Sequence, residues 1–402
     1  MRDAFYRIGR LPPYVFAEVN RLKAEARASG RDIIDFGMGN PDSKPPAHVV
    51  AKLKEAVADP RSSRYSVSRG IIGLRRAQAA YYGRRFGLEL DPDREIVVTI
   101  GSKEGLANLA QAISQPGDVF VVPDPSYPIH TWGFVIPGAE VRHIPNLPHD
   151  PEFFSWLEAA LAQKPTPVAL ILNYPCNPTA ATVDLAFYER VVDLARHYGI
   201  YIISDLAYCE IYFGNTPPPS ILQVKGAREI AVEFTTVSKS YSMAGWRIGF
   251  ACGAPALIGA LTKIKSYLDY GTFLPVQVAA AAALNGPQDY VERMRTLYRE
   301  RRDALVDGLK TVWPMEKPDA SMFVWAKLPD AFSHLSSLEF SKRLLVEAEA
   351  AVAPGIGFGP GGEGHVRIAL VENRQRIRQA VRNIRQFLQE ADTRPQQAEQ
   401  MR

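Results

Sequence analysis

Five short apolar runs, each rich in β-forming residues, recur between residues 95 and 237. They are EIVVTI (95–100), DVFVVP (118–123), VALIL (168–172), IYIIS (200–204) and AVEFTTV (231–237). The segments between them favour helices. Over 184–198, for example, apolar residues recur at helical spacing, Asp184 can cap the first turn and Gly199 can end the last one. Apolar strands that alternate with helices predict a parallel sheet covered on both faces.

The rest of the chain predicts a smaller domain beside this sheet. A long amphipathic helix after residue 285 leads to MFVWAKL (322–328), a helix over 338–350, GHVRIAL (364–370) and a final helix ending near Glu390. We therefore expect an α/β protein whose large domain holds a mostly parallel sheet between helices, together with a smaller α+β domain. The predicted boundaries are 1–45 for an N-terminal arm and the first part of the small domain, 46–286 for the large domain, 287–390 for the small domain and 391–402 for a disordered polar tail.

Polar side chains follow the last apolar position of successive strands. They are Ser102, Tyr127, Asn177, Asp205 with Tyr208, and Lys239. Sheets of this kind bind ligands at the carboxyl ends of their strands. Several such residues in succession, each with a different chemistry, predict a site there.

Lys239 lies in the stretch around which the chain is organised, TTVSKSYSMAGWRIGFACG (235–253). A lysine at the end of a buried strand, with hydroxyls before it and Arg247 nearby, suits an amine whose pKa must fall before it can form an imine with an aldehyde. The hydroxyls and the guanidinium suit a phosphate. Thr236-x-x-Lys239 also approximates the S-x-x-K pattern of serine acyl-transfer enzymes, but their S-D-N and K-T-G elements are missing.

Composition and charge exclude several other classes of protein. A net charge of +4 over 402 residues is too weak to indicate a nucleic-acid or membrane-surface partner. The three cysteines form no C-x-x-C pair, and the seven histidines lack metal-ligand spacing, so no metal site is predicted. No apolar run is long enough to span a bilayer, and the N-terminus lacks the features of a signal peptide. We expect a cytoplasmic protein.

The chain resembles the class I/II aminotransferases, pyridoxal-phosphate enzymes of fold type I. The resemblance covers nearly the whole sequence. It rests on SKSYSMAGWRIG and, toward the bacterial alanine (glutamate–pyruvate) branch, on LPPYVF, DFGMGNPD, YSVSRGI, TIGSKEGL and SYPIH. It implies pyridoxal 5′-phosphate as the cofactor and a homodimer with shared active sites.

The resemblance also implies roles for individual residues. Lys239 would hold the cofactor and move the substrate proton, and Asp205 would pair with the pyridine nitrogen. Tyr208 and Asn177 would donate to the phenolate oxygen of the ring, and Tyr127 would stack on its face. Phosphate binding is assigned to Ser102, Lys103 (through its backbone), Thr236, Ser238, Arg247 and, from a neighbouring copy of the chain, Tyr65.

Arg367 is the predicted substrate anchor, because a buried arginine on the strand GHVRIAL needs a planar anionic partner such as a carboxylate. The backbone of Gly39 and the side chain of Asn177 would bind the same substrate, and Tyr14 would close over it. Aspartate aminotransferases supply a second arginine for a distal carboxylate, which KIKSYLDYGTF (263–273) lacks. Lys103, Tyr14 and Tyr270 are the alternatives.

Two departures from common patterns lie near these residues. The family pattern N-P-x-x-N-P-T-G ends here in Ala180, which we interpret as a mark of the alanine branch. PGIGFGPGG (354–362) looks like a dinucleotide-binding loop but precedes a strand instead of following one. We therefore expect a mobile loop at the edge of the small domain.

The predicted function is transfer of an amino group from alanine to 2-oxoglutarate, giving pyruvate and glutamate in amino-acid biosynthesis and alanine metabolism. Other transaminases, for methionine, aspartate or LL-diaminopimelate, and a β-lyase of the same fold stay open as alternatives. A non-catalytic cofactor-binding module of a transcription regulator is less expected. A degenerate relative of that kind would have lost Lys239, Asp205 or Arg367, and all three are present.

Overall fold

The computed structural model describes the backbone of residues 5–400 and the side chains of residues 5–390. Its strands are β1 Ile34–Asp35, β2 Ile96–Thr99, β3 Val119–Asp124, β4 Glu140–Pro145, β5 Ala169–Asn173, β6 Tyr201–Asp205, β7 Ala231–Thr236, β8 Gly249–Gly253, β9 Phe323–Lys327, β10 Ala350–Ala351, β11 Ala353–Pro354 and β12 His365–Ala369. Its helices are α1 Tyr6–Gly9, α2 Val15–Ala28, α3 Ala47–Ala58, α4 Ile72–Phe86, α5 Ser102–Ile113, α6 Pro128–Val135, α7 Phe153–Ala162, α8 Leu185–Tyr198, α9 Ala227–Ile230, α10 Val237–Ser240, α11 Pro255–Leu268, α12 Leu274–Asn285, α13 Asp289–Leu309, α14 Ser337–Ala348 and α15 Arg374–Gln400.

A seven-stranded sheet forms the centre of the large domain, in the order β2-β8-β7-β6-β5-β3-β4. The strands from β7 to β4 run parallel, as the sequence predicts, whereas β8 runs antiparallel to β7 and β2. The reversal follows from the short connection between β7 and β8, which holds only single helical turns, because a parallel return needs a longer crossover. This connection carries Lys239.

Helices cover both faces of the sheet, and alternate residues of each strand pack against opposite layers. On β5, Leu170 and Leu172 belong to the core shared with α4, α8 and α12, whereas Ile171 belongs to the core shared with α5, α6 and α11. Burial of both strand faces explains the near-continuous apolar runs in the sequence. Asp184 caps α8 by accepting a hydrogen bond from the Phe187 N–H at 2.8 Å, and Gly199 ends that helix in the left-handed conformation, both as predicted.

The smaller domain contains an antiparallel sheet in the order β11-β12-β9, packed against α13, α14 and α15. Strand β1 pairs in parallel with β10, which joins the N-terminal segment to this domain. Arg301 on α13 holds the same segment through two hydrogen bonds to the Asp42 carboxylate, at 2.8 and 2.6 Å. The α/β fold class is confirmed, and the residue boundaries of the domains stay a prediction.

The final helix continues past Glu390, where the sequence predicts its end, to Gln400. The predicted disordered tail, 391–402, falls on residues whose side chains lie outside the description, and its last two residues lie outside it entirely. Its disorder therefore stays a prediction. Within the described part of the chain, no helix is long and apolar enough to cross a membrane.

Candidate active site

A cavity of about 420 Å³ opens between the carboxyl ends of the parallel strands and the small domain. It gathers most of the predicted site residues: Tyr14, Gly39, Ser102, Lys103, Tyr127, Asn177, Asp205, Tyr208, Thr236, Ser238, Lys239, Arg247 and Arg367. Tyr65 does not line it, and neither does Tyr270, one of the alternatives for a distal carboxylate. The strand-end pattern in the sequence therefore corresponds to a single site in space.

Lys239 lies in α10, the helical turn that follows β7. Thr236 begins this turn and accepts a hydrogen bond from the Ser238 N–H at 3.1 Å. The Lys239 ammonium donates to the Gly39 carbonyl at 2.6 Å, so the N-terminal segment closes over it. Desolvation, reinforced by the positive charges of Arg367 and Arg247, lowers the pKa of Lys239 to about 8. The amine is thus partly neutral near physiological pH, as the sequence argument requires.

Asp205 ends β6 and is held by a buried histidine. His130 Nε2 lies 2.9 Å from Asp205 Oδ2, and the histidine is 1% exposed. The Ala207 N–H donates to the other carboxylate oxygen at 3.2 Å, and Asn173 Nδ2 donates to the Asp205 carbonyl at 2.7 Å. This set of contacts fixes the orientation of the carboxylate toward the cavity. No role was predicted for His130 or Asn173.

Arg367 is buried on β12 and has no carboxylate partner among the described side chains. Its Nη1 donates to Asn177 Oδ1 at 2.7 Å, its Nη2 donates to the Gly37 carbonyl at 2.9 Å, and its Nε has no hydrogen-bond partner. Burial lowers the pKa of Arg367 to about 10, so the guanidinium still carries its charge at neutral pH. A buried cation with a spare donor is suited to an incoming anion.

Tyr208 completes the group around Asn177. Asn177 Nδ2 lies 3.4 Å from the Tyr208 hydroxyl, and burial raises the pKa of that phenol far above its ordinary value. The hydroxyl therefore keeps its proton at neutral pH and can donate it in a hydrogen bond to a ligand. Burial raises the pKa of Tyr127 in the same direction.

Two phenyl rings enclose the Arg367 guanidinium. Its central carbon lies 4.3 Å from the centre of the Phe323 ring and 4.7 Å from that of Phe358. Phe358 belongs to the glycine-rich segment 354–362, which forms two short 3-10 turns, so this segment reaches the cavity, and its mobility stays a prediction. The segment approaches the large domain closely, since a Cβ at Gly359 (φ +121°) would lie only 1.7 Å from Asp124 Oδ1.

The amino end of α5 and the β7–β8 connection form a pocket of donors. Gly101 precedes α5 as its N-cap, and Ser102, Thr236 and Ser238 line the same cavity as Arg247. Arg247 also contacts the turn that precedes α5, because its Nη2 donates to the Ile100 carbonyl at 3.3 Å. Free N–H groups at a helix start together with a guanidinium favour a phosphate.

Glycine at position 249 permits this arrangement. A Cβ there would lie 2.6 Å from the Ser102 nitrogen and 2.8 Å from the Gly101 carbonyl carbon. Strand β8 can therefore approach the turn only if it lacks a side chain at this point.

The tyrosines at the rim occupy different places. Tyr14 is 66% exposed and lines the cavity mouth. Tyr65 is 85% exposed and lies on the outer surface, with its ring centre 4.7 Å from that of Tyr270. Neither Tyr65 nor Tyr270 lines the cavity of its own chain.

Four residues of the site had no role predicted from the sequence: His130, Asn173, Phe323 and Phe358. A signal was present for His130, which follows Tyr127 by one helical turn in SYPIH. Asn173 likewise ends the strand VALIL at the position where Asp205 ends IYIIS, and the two are register partners. Nothing local marked Phe323 or Phe358, since each becomes part of the site only through packing on Arg367.

Comparisons with known proteins agree with this geometry. The family described as "Aminotransferase class I and II" matches residues 31–384. A protein named as an aminotransferase, AatC of Rhizobium meliloti, is 57% identical, over 97% of this chain and 96% of its own. The glutamate-pyruvate aminotransferase AlaC of Escherichia coli is 54% identical, over 95% of this chain and 93% of its own. The substrate-bound structure of BacF from Bacillus subtilis superimposes with a TM-score of 0.90 at 33% identity, covering 96% of this chain and 98% of that one.

The fold and the family match define a fold type I transferase, and the chain belongs to the class I and II aminotransferases. It is an aminotransferase that depends on pyridoxal 5′-phosphate. The donors around Ser102 and Arg247 and the space left by Gly249 fit its phosphate, and Lys239 fits its aldehyde. When bound, the pyridine ring supplies an electron sink for charge that develops at the substrate Cα.

The lowered pKa of Lys239 predicts unusual reactivity in protein freed of cofactor. Reductive methylation by formaldehyde and cyanoborohydride consumes the neutral amine, so at Lys239 its rate should rise with pH to a midpoint near 8, below the ordinary lysine value of 10.5. Mass spectrometry of the Lys239 peptide measures that rate. Exposed lysines in the same digest serve as controls and should show midpoints above 10. A midpoint above 10 at Lys239 as well would contradict the prediction.

Substitution of Gly249 by alanine should displace the Gly101–Ser102 turn and weaken cofactor binding by about tenfold to a hundredfold, since misplacement by a fraction of an ångström is costly at such sites. Absorbance titration of the cofactor-free protein measures the affinity. The matched control is Gly259→Ala on α11, where no atom lies within 4 Å of the added carbon. Unchanged affinity in Gly249→Ala would show that β8 does not set the turn.

Proposed function

We propose that this aminotransferase transfers the amino group of L-alanine to 2-oxoglutarate in a ping-pong reaction, releasing pyruvate and then glutamate. The observation that carries the proposal is the buried Arg367, which has a free Nε and no carboxylate partner among the described residues, in the same cavity as Lys239. These two groups meet the needs of an α-amino acid, a carboxylate clamp and a base for its Cα proton. The 54% identity to AlaC supports alanine as the donor.

Arg367 binds the α-carboxylate of the substrate in this proposal. Asn177 orients the guanidinium by accepting from Nη1, and the rings of Phe323 and Phe358 keep bulk water from its faces. The backbone of Gly39 and the rim residue Tyr14 contribute to substrate binding. Because the Gly39 carbonyl accepts from Lys239, the contact that would close the substrate pocket also holds the amine in place.

Lys239 moves the proton between the substrate Cα and the C4′ atom of the cofactor. A general base works best when its pKa lies near the operating pH, and about 8 meets that condition. The neighbouring charges of Arg367 and Arg247 contribute to the lowering, so a bound carboxylate or phosphate would partly restore proton affinity. Binding of substrate would therefore make the amine a stronger base when it is needed.

The remaining assignments concern the cofactor. Asp205, oriented by His130, pairs with the pyridine nitrogen and keeps it protonated. Tyr208 and Asn177 donate to the ring phenolate, and Tyr127 packs on the ring face. Ser102, the Lys103 backbone, Thr236, Ser238 and Arg247 hold the phosphate.

Recognition of the second carboxylate of glutamate is assigned to Lys103. Its side chain lines the cavity, and its ammonium lies 5.8 Å from the Tyr127 ring centre. Tyr270 is the weaker alternative because it lies outside the cavity of its own chain. A small substrate such as alanine leaves Lys103 in contact with water, so the same site accommodates both partners.

A homodimer is the proposed working unit. Tyr65 and Tyr270 lie exposed side by side on the outer surface, so Tyr65 is free to reach the phosphate of a neighbouring copy.

We place the enzyme in the cytoplasm, where amino and 2-oxo acids are exchanged. Methionine, aspartate and LL-diaminopimelate transaminases and a β-lyase are the competing functions.

One spectroscopic experiment separates these functions by class. The holoenzyme mixed with glutamate alone should convert its cofactor to the pyridoxamine form and lose the long-wavelength absorbance. A β-lyase would retain that absorbance.

Borohydride reduction before the addition of substrate should place the cofactor label on the Lys239 peptide, and Lys239→Ala should carry no label. A label elsewhere would overturn the proposal. A panel of amino acids, each tested as donor to pyruvate and to 2-oxoglutarate, then ranks alanine against the other donors.

Replacement of Lys103 by methionine should separate the two substrates. We expect kcat/KM for glutamate to fall by about tenfold or more, since a hydrogen bond to a charged group contributes about 1.5–3 kcal/mol. The value for alanine should change by less than about threefold, because its methyl group has no charge to pair. The control Lys103→Arg keeps the charge and should retain most of the glutamate activity. Equal losses for both amino acids in Lys103→Met would rule out the assignment.

A further inference from the structure

Lys265, on α11, is a completely buried lysine that does not line the active-site cavity. Its ammonium donates to Glu104 Oε1 at 2.8 Å and to Asp269 Oδ2 at 2.9 Å. A lysine is rarely buried to this extent unless its charge is paired, because removing an ammonium from water is costly. Its position and both of its partners therefore require an explanation.

The first partner, Glu104, supports the turn that precedes α5. Its Oε2 accepts a hydrogen bond from the Ile100 N–H at 2.8 Å, and its Oε1 also accepts from Asn108 Nδ2 at 2.5 Å. Ile100 is the residue whose carbonyl accepts from Arg247, and it directly precedes Gly101 and Ser102. The carboxylate thus fixes the turn, but it also places a negative charge directly behind a pocket of anion-binding donors.

The second partner, Asp269, fixes a loop on the outer surface. Its Oδ1 accepts from the Gly271 N–H at 2.6 Å, and its backbone carbonyl accepts from the Ser68 hydroxyl. Gly271 (φ +76°) packs closely on Val67, where a Cβ would lie 2.5 Å from the carbonyl oxygen. The two loops joined here carry Tyr65 and Tyr270.

We propose that Lys265 is a positioning residue for the cofactor phosphate, which neutralises Glu104 so that this carboxylate can brace the Ile100–Ser102 turn without repelling the anion bound in front of it. The inference rests on the proposed role of that turn in phosphate binding. It assigns to Lys265 an effect that acts through Glu104 and the backbone, without contact with the cofactor.

The effect of Lys265 on a charged ligand distinguishes neutralisation of Glu104 from simple packing. Without Lys265, Glu104 would be a half-buried carboxylate with no cation, close to a site that must hold a doubly charged phosphate. At a separation of several ångströms in a medium of intermediate dielectric, such repulsion is large enough to weaken binding by about tenfold or more. A role in packing alone would affect every ligand of the site to the same extent.

The test compares pyridoxal 5′-phosphate with pyridoxal, which has the same aldehyde and ring but no phosphate. Absorbance titration of cofactor-free protein gives both dissociation constants. In Lys265→Met, the constant for the phosphorylated ligand should rise about tenfold or more, while that for pyridoxal should change by less than about threefold. Equal weakening of both ligands, or no weakening, would overturn the proposal.

The double variant Glu104→Gln/Lys265→Met provides the matched control. It removes the negative charge of Glu104 along with the positive charge of Lys265, while the glutamine can still accept from the Ile100 N–H. The affinity for the phosphorylated ligand should therefore recover to within about threefold of the wild type. Persistent weakening in the double variant would contradict the electrostatic role. None of these measurements depends on the amino donor, so a failure of alanine as substrate leaves the test intact.

A third variant covers the case in which Lys265→Met does not fold. Glu104→Gln keeps the lysine and lowers the negative charge behind the turn, so it should bind inorganic phosphate at least as tightly as the wild type, measured by calorimetry on the cofactor-free protein. Weaker binding of phosphate by about tenfold in this variant would refute the proposal, because glutamine retains the acceptor for the turn.

Discussion

An excess of positive charge in the cavity is the constraint on which the rest of the site depends. Lys103, Lys239, Arg247 and Arg367 line it, and Asp205 is the one carboxylate that does so among the side chains the structure describes. Burial lowers the pKa of both Lys239 and Arg367, and the positive charges of Arg367 and Arg247 lower that of Lys239 further. The protein alone leaves this charge uncompensated, whereas a phosphorylated cofactor and a carboxylate substrate would balance it. The affinity for anions and the reactivity of the lysine therefore share one physical origin.

The architecture concentrates that charge by bringing strand ends together. Strands β5, β6 and β7 run parallel and deliver Asn173, Asp205 and Lys239 to one edge. The reversal into β8 then returns Arg247 to the same edge and places Gly249 against the start of α5. Arg367 comes from the other domain, on β12. The meeting of the two domains at the cavity is thus what brings Lys239 and Arg367 together.

Much of this arrangement could be predicted from the sequence, because its causes are local. Asp205 and Lys239 each follow an apolar run, and the ends of parallel strands must meet at one edge. Arg367 could be assigned because the alternation in GHVRIAL gives it a buried face with no acidic residue in register. The hydroxyls before Lys239 likewise predicted an anion pocket, and the family motif predicted the cofactor.

What the sequence could not predict depends on contacts between distant parts of the chain. His130 acquires its importance from Asp205, which lies 75 residues away, and no pattern around either residue specifies that pair. Phe358 looked like part of a peripheral loop because glycines surround it, yet those glycines let the segment pack against Asp124. Nothing in the sequence marks Lys265 as buried, because its partner Glu104 comes from α5, far away in the chain.

The two phenyl rings around Arg367 have a stereochemical consequence. The ring centres of Phe323 and Phe358 lie 4.3 and 4.7 Å from the central carbon of the guanidinium, and both Nη atoms already donate within the protein, so an incoming anion has few directions of approach. In the proposed substrate complex, Arg367 would orient the α-carboxylate and the amino group would lie near Lys239, which constrains two directions at the same carbon. With two of the four bonds constrained in this way, only one enantiomer would direct its hydrogen toward the lysine, so the proposed anchoring implies a selection of handedness.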